Sequence, residues 1–473
     1  MKYVSTRHAA ESRAADPVDF LSASLMGLAP DGGLFSPHEW PRIARPKATD
    51  AYVETATRVM SAFAGDAVPA DAIRGMAERA YAPFAHKSVA PLVEVGPGRW
   101  MLELHHGPTL AFKDIAMRLI AQLYDYILEQ RGERMTILCA TSGDTGGAAA
   151  SAFAGSKYVD MVILHPLDRV SPTQRLFMTA TGADNVHNLA LEGDFDGTQA
   201  ILKHLIGDGQ FKRKTRLAAV NSINWTRVAA QSVYFAQAQA QLGADANVHF
   251  VVPTGNFGDA LACYVAAQSG LLQNFRCTSA VNANDAMARL ISGQPLTRGE
   301  TAPTISPAMD IQVPSNFERL FFEATSADGR PAGRNGAAVA KTYAELAALG
   351  SGAIPPGVAK RLGSMGLSAE RVSDEQTRDE MKRTLAETGW VVCPHTAVGL
   401  AAARRTTHAD GPIVTLATAH AAKFPETVRD VLGIDVGLPD RATEFVSRPE
   451  QFETGPMSAD HVRKRIEQLI AKG

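Results

Sequence analysis

The 473-residue chain has four cysteines, Cys139, Cys263, Cys277 and Cys393, and no two of them form a C-x-x-C pair. That scatter argues against a zinc ribbon and a disulfide scaffold and fits a reducing cytosol, so a cytoplasmic location is expected. No run of about 18 apolar residues occurs, so no membrane span is indicated. Lys2, Arg7 and Arg13 near the N-terminus are not followed by the apolar stretch of a secretory signal. The formal net charge is only −2, which gives no global field for nucleic acid or an anionic membrane. Three familiar signatures are also missing. G-x-x-x-x-G-K-[ST] and G-x-G-x-x-G are absent, which argues against a P-loop and a dinucleotide site. G-x-S-x-G is absent, which weakens a hydrolase reading. His105 and His106 are adjacent and lack the i, i+4 spacing that puts two metal ligands on one helix face, so no metal is expected.

What remains is a soluble globular composition, 45% hydrophobic and 20% charged. The length exceeds one ordinary core, so two or three domains are expected. The first ninety or so residues read as mostly helical, with apolar residues at helical spacing over Tyr52–Ala64 and Ala70–Tyr81. Short apolar strands then alternate with helices: Met135–Cys139, Met161–Leu164, Asn247–Val252 and Ile413–Ala417. This alternation predicts α/β architecture, with open, mostly parallel sheets covered by helices on both faces. Residues 296–315 and 327–336 read as loops, 438–456 give little signal, and Ala459–Ile470 reads as a terminal helix. The expected domains are a mainly helical 1–95, a large α/β domain of 96–135 with 216–440, a small mobile α/β domain of 136–215, and a C-terminal segment of 441–473.

Two Gly-rich turns follow strands and open helices, where ligands bind in open α/β sheets. In Pro253-Thr254-Gly255-Asn256-Phe257-Gly258-Asp259 the glycines permit backbone closed to other residues. Main-chain N–H groups at a helix start suit a phosphate, although an ordinary strand-to-helix turn has the same appearance. Ala140-Thr141-Ser142-Gly143-Asp144-Thr145-Gly146-Gly147 has the same context and suits a carboxylate or a second phosphate. Lys113 stands where the Gly107-Pro108 loop enters a helix, in an apolar run with Asp114 beside it. A lone lysine is ordinarily a solvated surface charge. One shielded from water has a lowered pKa and can form a Schiff base. A shielded lysine with two anion loops points to pyridoxal 5'-phosphate, which needs an amine for its aldehyde and a dock for its phosphate.

Here the chain resembles the threonine synthase family, lyases of the type II pyridoxal-phosphate fold related to the tryptophan synthase β chain. The resemblance rests on His106–Asp114, Ala140–Gly146, Pro253–Asp259, Asn221-Ser222-Ile223-Asn224, Ala308-Met309-Asp310 and Ala417-Thr418-Ala419-His420, with Asp31-Gly32-Gly33-Leu34-Phe35 as an N-terminal signature. It is weakest over 315–390 and at the C-terminal end. It implies that Lys113 is the Schiff-base lysine and the catalytic residue. It places Gly255, Asn256 and Phe257 at the cofactor phosphate with Asp259 close by, Asp144 near the ring oxygen, and Thr418 near the pyridine nitrogen. Thr141, Ser142 and Thr145 are implied at the substrate carboxylate; Ser222, Asn224 and Arg227 at the substrate phosphate. Arg227 is the sharpest of these, since a planar guanidinium fork suits phosphate. Ala421 and Pro307 depart from residues common in the family and bear on local backbone only.

The implied reaction converts O-phospho-L-homoserine and water into L-threonine and phosphate by γ-elimination and β-addition, the last step of threonine biosynthesis. The class is a carbon–oxygen lyase acting on phosphates. The nearest alternatives on the same scaffold are a serine/threonine dehydratase and a phospholyase releasing 2-oxobutyrate; a non-catalytic cofactor carrier is the alternative of another class. The expected partner is the small-molecule substrate, without nucleic acid or membrane, and a monomer is favoured over a dimer.

Overall fold

The computed structural model describes residues 1–8, 16–141, 143–326, 328–406 and 410–471. The chain divides into two compact units. The larger contains Met1–Gly75, His86–His105 and Ser222–Val436; the smaller contains Met76–Ala85, His106–Asn221 and Gly437–Gly473.

The larger unit is built on a six-stranded sheet in the order Leu367–Arg371, Arg276–Val281, His249–Pro253, Ile413–Ala417, Arg99–Glu103, Leu92–Gly96. All neighbours are parallel except the last pair, which is antiparallel. Every residue of Ile413–Ala417 is buried, so both faces of the sheet centre are covered, as parallel strands require. Val251, Ala280, Val398, Ala402 and Ile413 form one of its core clusters. The N-terminal segment is mainly helical, as expected, and Tyr52–Ala64 and Ala70–Tyr81 are helices. It also holds a small antiparallel sheet of Val18–Asp19, Lys2–Ser5 and Phe35–Pro37. Strands of two to four residues are too short for alternation to be read from sequence.

The smaller unit has a five-stranded, wholly parallel sheet in the order Glu453–Pro456, Val186–Glu192, Val159–Pro166, Met135–Ala140, Leu217–Ala219. Its core joins Leu138, Val162, Leu164 and Leu189 to Val462 and Ile466 of the terminal helix Ala459–Ile470. The partition therefore differs from the one read from sequence: besides the short stretches Met76–Ala85 and 216–221, which group with the smaller unit, three larger segments move. Residues 1–75 group with the larger sheet, residues 106–135 group with the smaller unit, and the C-terminal segment supplies that unit with an edge strand and a helix. The edge strand Glu-Thr-Gly-Pro carries no apolar pattern, because an edge makes backbone hydrogen bonds on one side only. Among the described residues, no helix is long and apolar enough to cross a membrane.

The strands read from sequence are present as Met135–Ala140, Val159–Pro166, His249–Pro253 and Ile413–Ala417. Among the described residues, the regions read as loops contain a two-residue strand, Leu296–Thr297, single turns of 3₁₀ helix at Pro307–Met309 and Pro331–Gly333, and the first residue of the helix Gly336–Leu349. The unread 315–390 region folds as the helices Phe317–Ala324, Gly336–Leu349, Pro356–Leu362 and Asp374–Thr388, with the strand Leu367–Arg371 extending the large sheet.

Candidate active site

In the smaller unit, Lys113 is the first residue of the helix Lys113–Arg131. The loop before it is held by Asp114, which is fully buried. Thr109 donates to it twice, its N–H to Oδ2 at 2.8 Å and its hydroxyl to Oδ1 at 2.6 Å. Gly107 is obligatory here, because a Cβ would collide with the Asp114 carboxylate. Leu110, fully buried, takes the left-handed conformation at φ 61°, a strained state for a branched residue. Asp114 is thus the clamp of the loop. The carboxylate that Lys113 reaches is Asp144: Nζ donates to Oδ2 at 3.4 Å. The side chains are 13% and 7% exposed, so the amine is largely shielded. The ammonium also lies 4.7 Å from the centroid of the Phe112 ring.

Asp144 begins the ten-residue helix Asp144–Phe153. Its second oxygen accepts from Gln174 Nε2 at 3.3 Å. Gln174 was not found from sequence. The available signal was Ser171-Pro172, a helix start beyond the carboxyl end of Val159–Pro166, where sites gather. Gly143 is left-handed at φ 150°, and a Cβ there would lie 2.5 Å from Gln174 Oε1. Thr141 is buried and its hydroxyl accepts from the N–H groups of Gly143 and Gly146, both at 3.0 Å. Its oxygen shapes the turn first; only its proton remains to be offered to a ligand. Thr145 is half-buried. Ser142 lies outside the described residues.

In the larger unit, the strand His249–Pro253 runs into the Gly-rich loop and the helix Gly258–Gln268. Phe257 caps that helix in a left-handed conformation, φ 62°, with its ring buried. Its contribution to an anion is therefore main-chain N–H, not the ring. A Cβ on Gly255 would lie 2.6 Å from Ala308 O and 3.2 Å from Met309 Cα, so only glycine lets the loop pack on that turn. Asp259 is buried and its Oδ1 accepts from the Tyr234 hydroxyl. Asn256 and Ser222 are half-buried and meet through Ser315. Ser315 Oγ donates to Asn256 Oδ1 at 3.1 Å and lies 3.2 Å from Ser222 Oγ.

Asn224 is the N-cap of the helix Trp225–Leu242: its Oδ1 accepts from Thr226 N at 2.9 Å, and its Nδ2 donates to Ser24 O at 2.8 Å. These bonds fix the Asn224 amide on the turn that carries Ser222 and Arg227. Arg227 is 4% exposed, so it is not a solvated helix charge. Thr418 is buried directly after the strand Ile413–Ala417. His420 caps the following turn, its Nδ1 accepting from Ala422 N at 3.2 Å.

These residues fit pyridoxal phosphate. In the larger unit the Gly255 cradle admits no side chain and main-chain N–H groups stand at the start of an eleven-residue helix, as a phosphate needs; in the smaller unit a shielded lysine stands beside a carboxylate, as an aldehyde needs. Comparison with known proteins agrees. A family model described as pyridoxal-phosphate dependent enzyme matches residues 94–332. Models of the threonine synthase N terminus and C-terminal part match 2–81 and 396–466. The chain is 40% identical to threonine synthase of Pseudomonas aeruginosa, covering 100% of this chain and 99% of the relative. It is 36% identical to the enzyme of Saccharomyces cerevisiae, covering 95% and 92%. The crystal structure of pyridoxal-phosphate-bound threonine synthase from Brucella melitensis superposes with a TM-score of 0.93 at 41% identity, covering 99% of each chain. Fold, cofactor family and relatedness along the whole chain agree, and the chain belongs to the threonine synthase family of type II pyridoxal-phosphate enzymes.

Proposed function

We infer that the chain converts O-phospho-L-homoserine and water to L-threonine and phosphate. The observation that carries this reading is Lys113, shielded and 3.4 Å from Asp144, in a chain related over its full length to threonine synthases. Bound pyridoxal phosphate supplies the electron sink that stabilises negative charge developing at the substrate Cα.

The chain's own groups divide the remaining work. Lys113 Nζ takes the proton from Cα and then one from Cβ as phosphate leaves Cγ, and returns one at Cγ. After the oxygen of water bonds to Cβ, Nζ returns the other at Cα, while the proton released by water leaves with phosphate; a tethered amine at high local concentration serves successive transfers. Asp144 keeps Nζ oriented, and Gln174 keeps Asp144 in place. Gly255, Asn256 and Phe257 hold the cofactor phosphate through main-chain N–H groups, and Thr418 presents its hydroxyl to the pyridine nitrogen. Asp259, bound to Tyr234, fixes the helix that follows the loop. Ser222 and Arg227 bind the substrate phosphate, whose departure from Cγ needs its charge stabilised. Thr145 and the Thr141 proton take the substrate carboxylate.

A monomer and a cytoplasmic location belong to the same reading. The location is supported by four buried cysteines, none in a disulfide. Light scattering of the purified protein tests the first and fractionation of its source cells the second.

The deciding experiment mixes purified protein with O-phospho-L-homoserine and follows phosphate, threonine and 2-oxobutyrate together. Equal phosphate and threonine are expected. Phosphate with 2-oxobutyrate would move the activity to a phospholyase. Lys113→Ala should lose the visible absorbance of lysine-bound cofactor and nearly all turnover; normal turnover overturns the assignment of Lys113.

A further inference from the structure

The larger unit contains a buried guanidinium that no step above uses. Arg319, on the helix Phe317–Ala324, is 1% exposed. Each of its three nitrogens donates to a neighbouring oxygen. Nε donates to Phe35 O at 2.8 Å, Nη2 to Ile223 O at 2.6 Å and Nη1 to Asn316 Oδ1 at 2.5 Å. Phe35 ends the Asp31–Phe35 signature turn, and Ile223 lies inside the Ser222–Asn224 turn. Asn316 is fully buried and carries the connection onward. Its Nδ2 donates to Ser222 O at 2.9 Å and to Asn256 O at 3.3 Å, and its N–H donates to Asn256 O at 3.1 Å. Ser315, next in the chain, bridges the Ser222 and Asn256 side chains.

We propose that Asn316, held by Arg319, is a positioning residue that couples the cofactor-phosphate loop to the substrate-phosphate turn, so that one amide sets the backbone of both phosphate-binding segments. This rests on the functional reading above for what each segment binds. The physical reason is accounting. Ser222 O and Asn256 O are carbonyls of irregular backbone with no helix or sheet ladder to satisfy them, and Asn316 satisfies both. Asn316 can do so only while its Oδ1 is fixed, and the planar fork of Arg319 fixes it from behind. Burial pulls Arg319 down to about 9, which still leaves it charged at neutral pH. Glu318, the adjacent carboxylate, is engaged by Arg7 at 2.8 and 2.9 Å and by Thr6 at 2.6 Å, so the fork is directed at neutral oxygens.

The test uses Asn316→Ala, with Arg319→Lys as the second variant. Two affinities are read: pyridoxal phosphate added back to the cofactor-depleted protein, followed by visible absorbance, and inorganic phosphate as an inhibitor competing with O-phospho-L-homoserine in the reloaded enzyme. Both are expected to weaken about tenfold or more in Asn316→Ala, the loss of roughly one hydrogen bond of fixed geometry at each segment. Ser222→Ala should weaken mainly the inorganic-phosphate arm. Arg319→Lys should weaken both arms less than Asn316→Ala, since it keeps the charge but loses the fork. A protein with a lowered melting temperature and both affinities within twofold of the parent overturns the proposal, because a merely structural residue gives that result. Weakening of one affinity alone overturns the coupling. If the parent makes no threonine, the functional reading fails; inorganic phosphate is then titrated calorimetrically into the loaded protein, and the same two outcomes decide the coupling.

Discussion

Replacing Asp114 by Ala tests whether the Lys113 loop is held by one buried carboxylate. Thr109 and Asp114 are both fully buried, and they share two hydrogen bonds of 2.8 and 2.6 Å. A hydrogen bond to a charged acceptor contributes about 1.5–3 kcal/mol, so the pair is expected to contribute about 3–6 kcal/mol. A water entering the vacated polar space recovers part of this, leaving about 2–5 kcal/mol as the expected loss. That is a large part of the roughly 5–15 kcal/mol that stabilises a domain. The loss falls on a loop already carrying Leu110 in a left-handed conformation, so the loop opens before the unit unfolds. The assay is hydrogen exchange at the Thr109 amide. At about 1.4 kcal/mol per tenfold, a loss of about 3 kcal/mol speeds exchange roughly 150-fold. Asp114→Asn keeps one acceptor oxygen and should fall between the two. Exchange at Thr109 within threefold of the parent in Asp114→Ala would refute the clamp. It would mean that helix packing, with Ile115, Ala116 and Leu119 buried, holds the loop without the carboxylate.

Three further outcomes follow from particular residues. Gly255→Ala forces a Cβ to within 2.6 Å of Ala308 O; overpacking of about 1–3 kcal/mol should lower cofactor affinity roughly five- to 150-fold in an absorbance titration, and unchanged affinity would show that the loop yields freely. Arg227→Lys keeps the charge but loses the fork, so kcat/KM for O-phospho-L-homoserine should drop by about tenfold or more with cofactor binding retained; a wild-type value would remove Arg227 from the phosphate site. Burial holds His165 below its ordinary pKa, aided by the Arg175 charge and opposed by a hydrogen bond with the Pro166 backbone and by Glu450. The folded form therefore binds its proton less readily than the unfolded chain. Stability is present above the unfolded pKa of about 6.5 and declines as pH falls below it. His165→Leu should flatten the slope of melting temperature against pH below about 6.5, and an unaltered slope would assign it to other groups.

Much of the catalytic half was legible because its chemistry is local in sequence. Lys113 at a helix start and the two Gly turns each lie within eight residues, and a strand, a turn and a helix in succession place them at sheet ends whatever the rest of the chain does. Roles needing distant partners were less legible. Asn224, implied at the substrate phosphate, also caps its helix and holds Ser24 O, 200 positions away, which no local motif indicates. Asp114 was read as the neighbour of Lys113, but the partner is Asp144, reached only when two successive helices pack. The Asn316–Arg319 pair lay where the resemblance was weakest, although Pro314-Ser315-Asn316 before an amphipathic helix is a helix-start signal.

By itself, the sequence determined the α/β class, the reactive amine, the anion loops and the family, because periodicity, turn chemistry and short motifs are properties of contiguous residues. Only the tertiary structure decided how the chain divides. The N-terminal segment joins the larger sheet, and the last thirty-seven residues complete the smaller unit with an edge strand and the buried Val462 and Ile466. The physical reason is that burial and backbone pairing are satisfied between segments far apart in the chain. A carbonyl such as Asn256 O or Phe35 O has no preferred donor until the fold brings one to it.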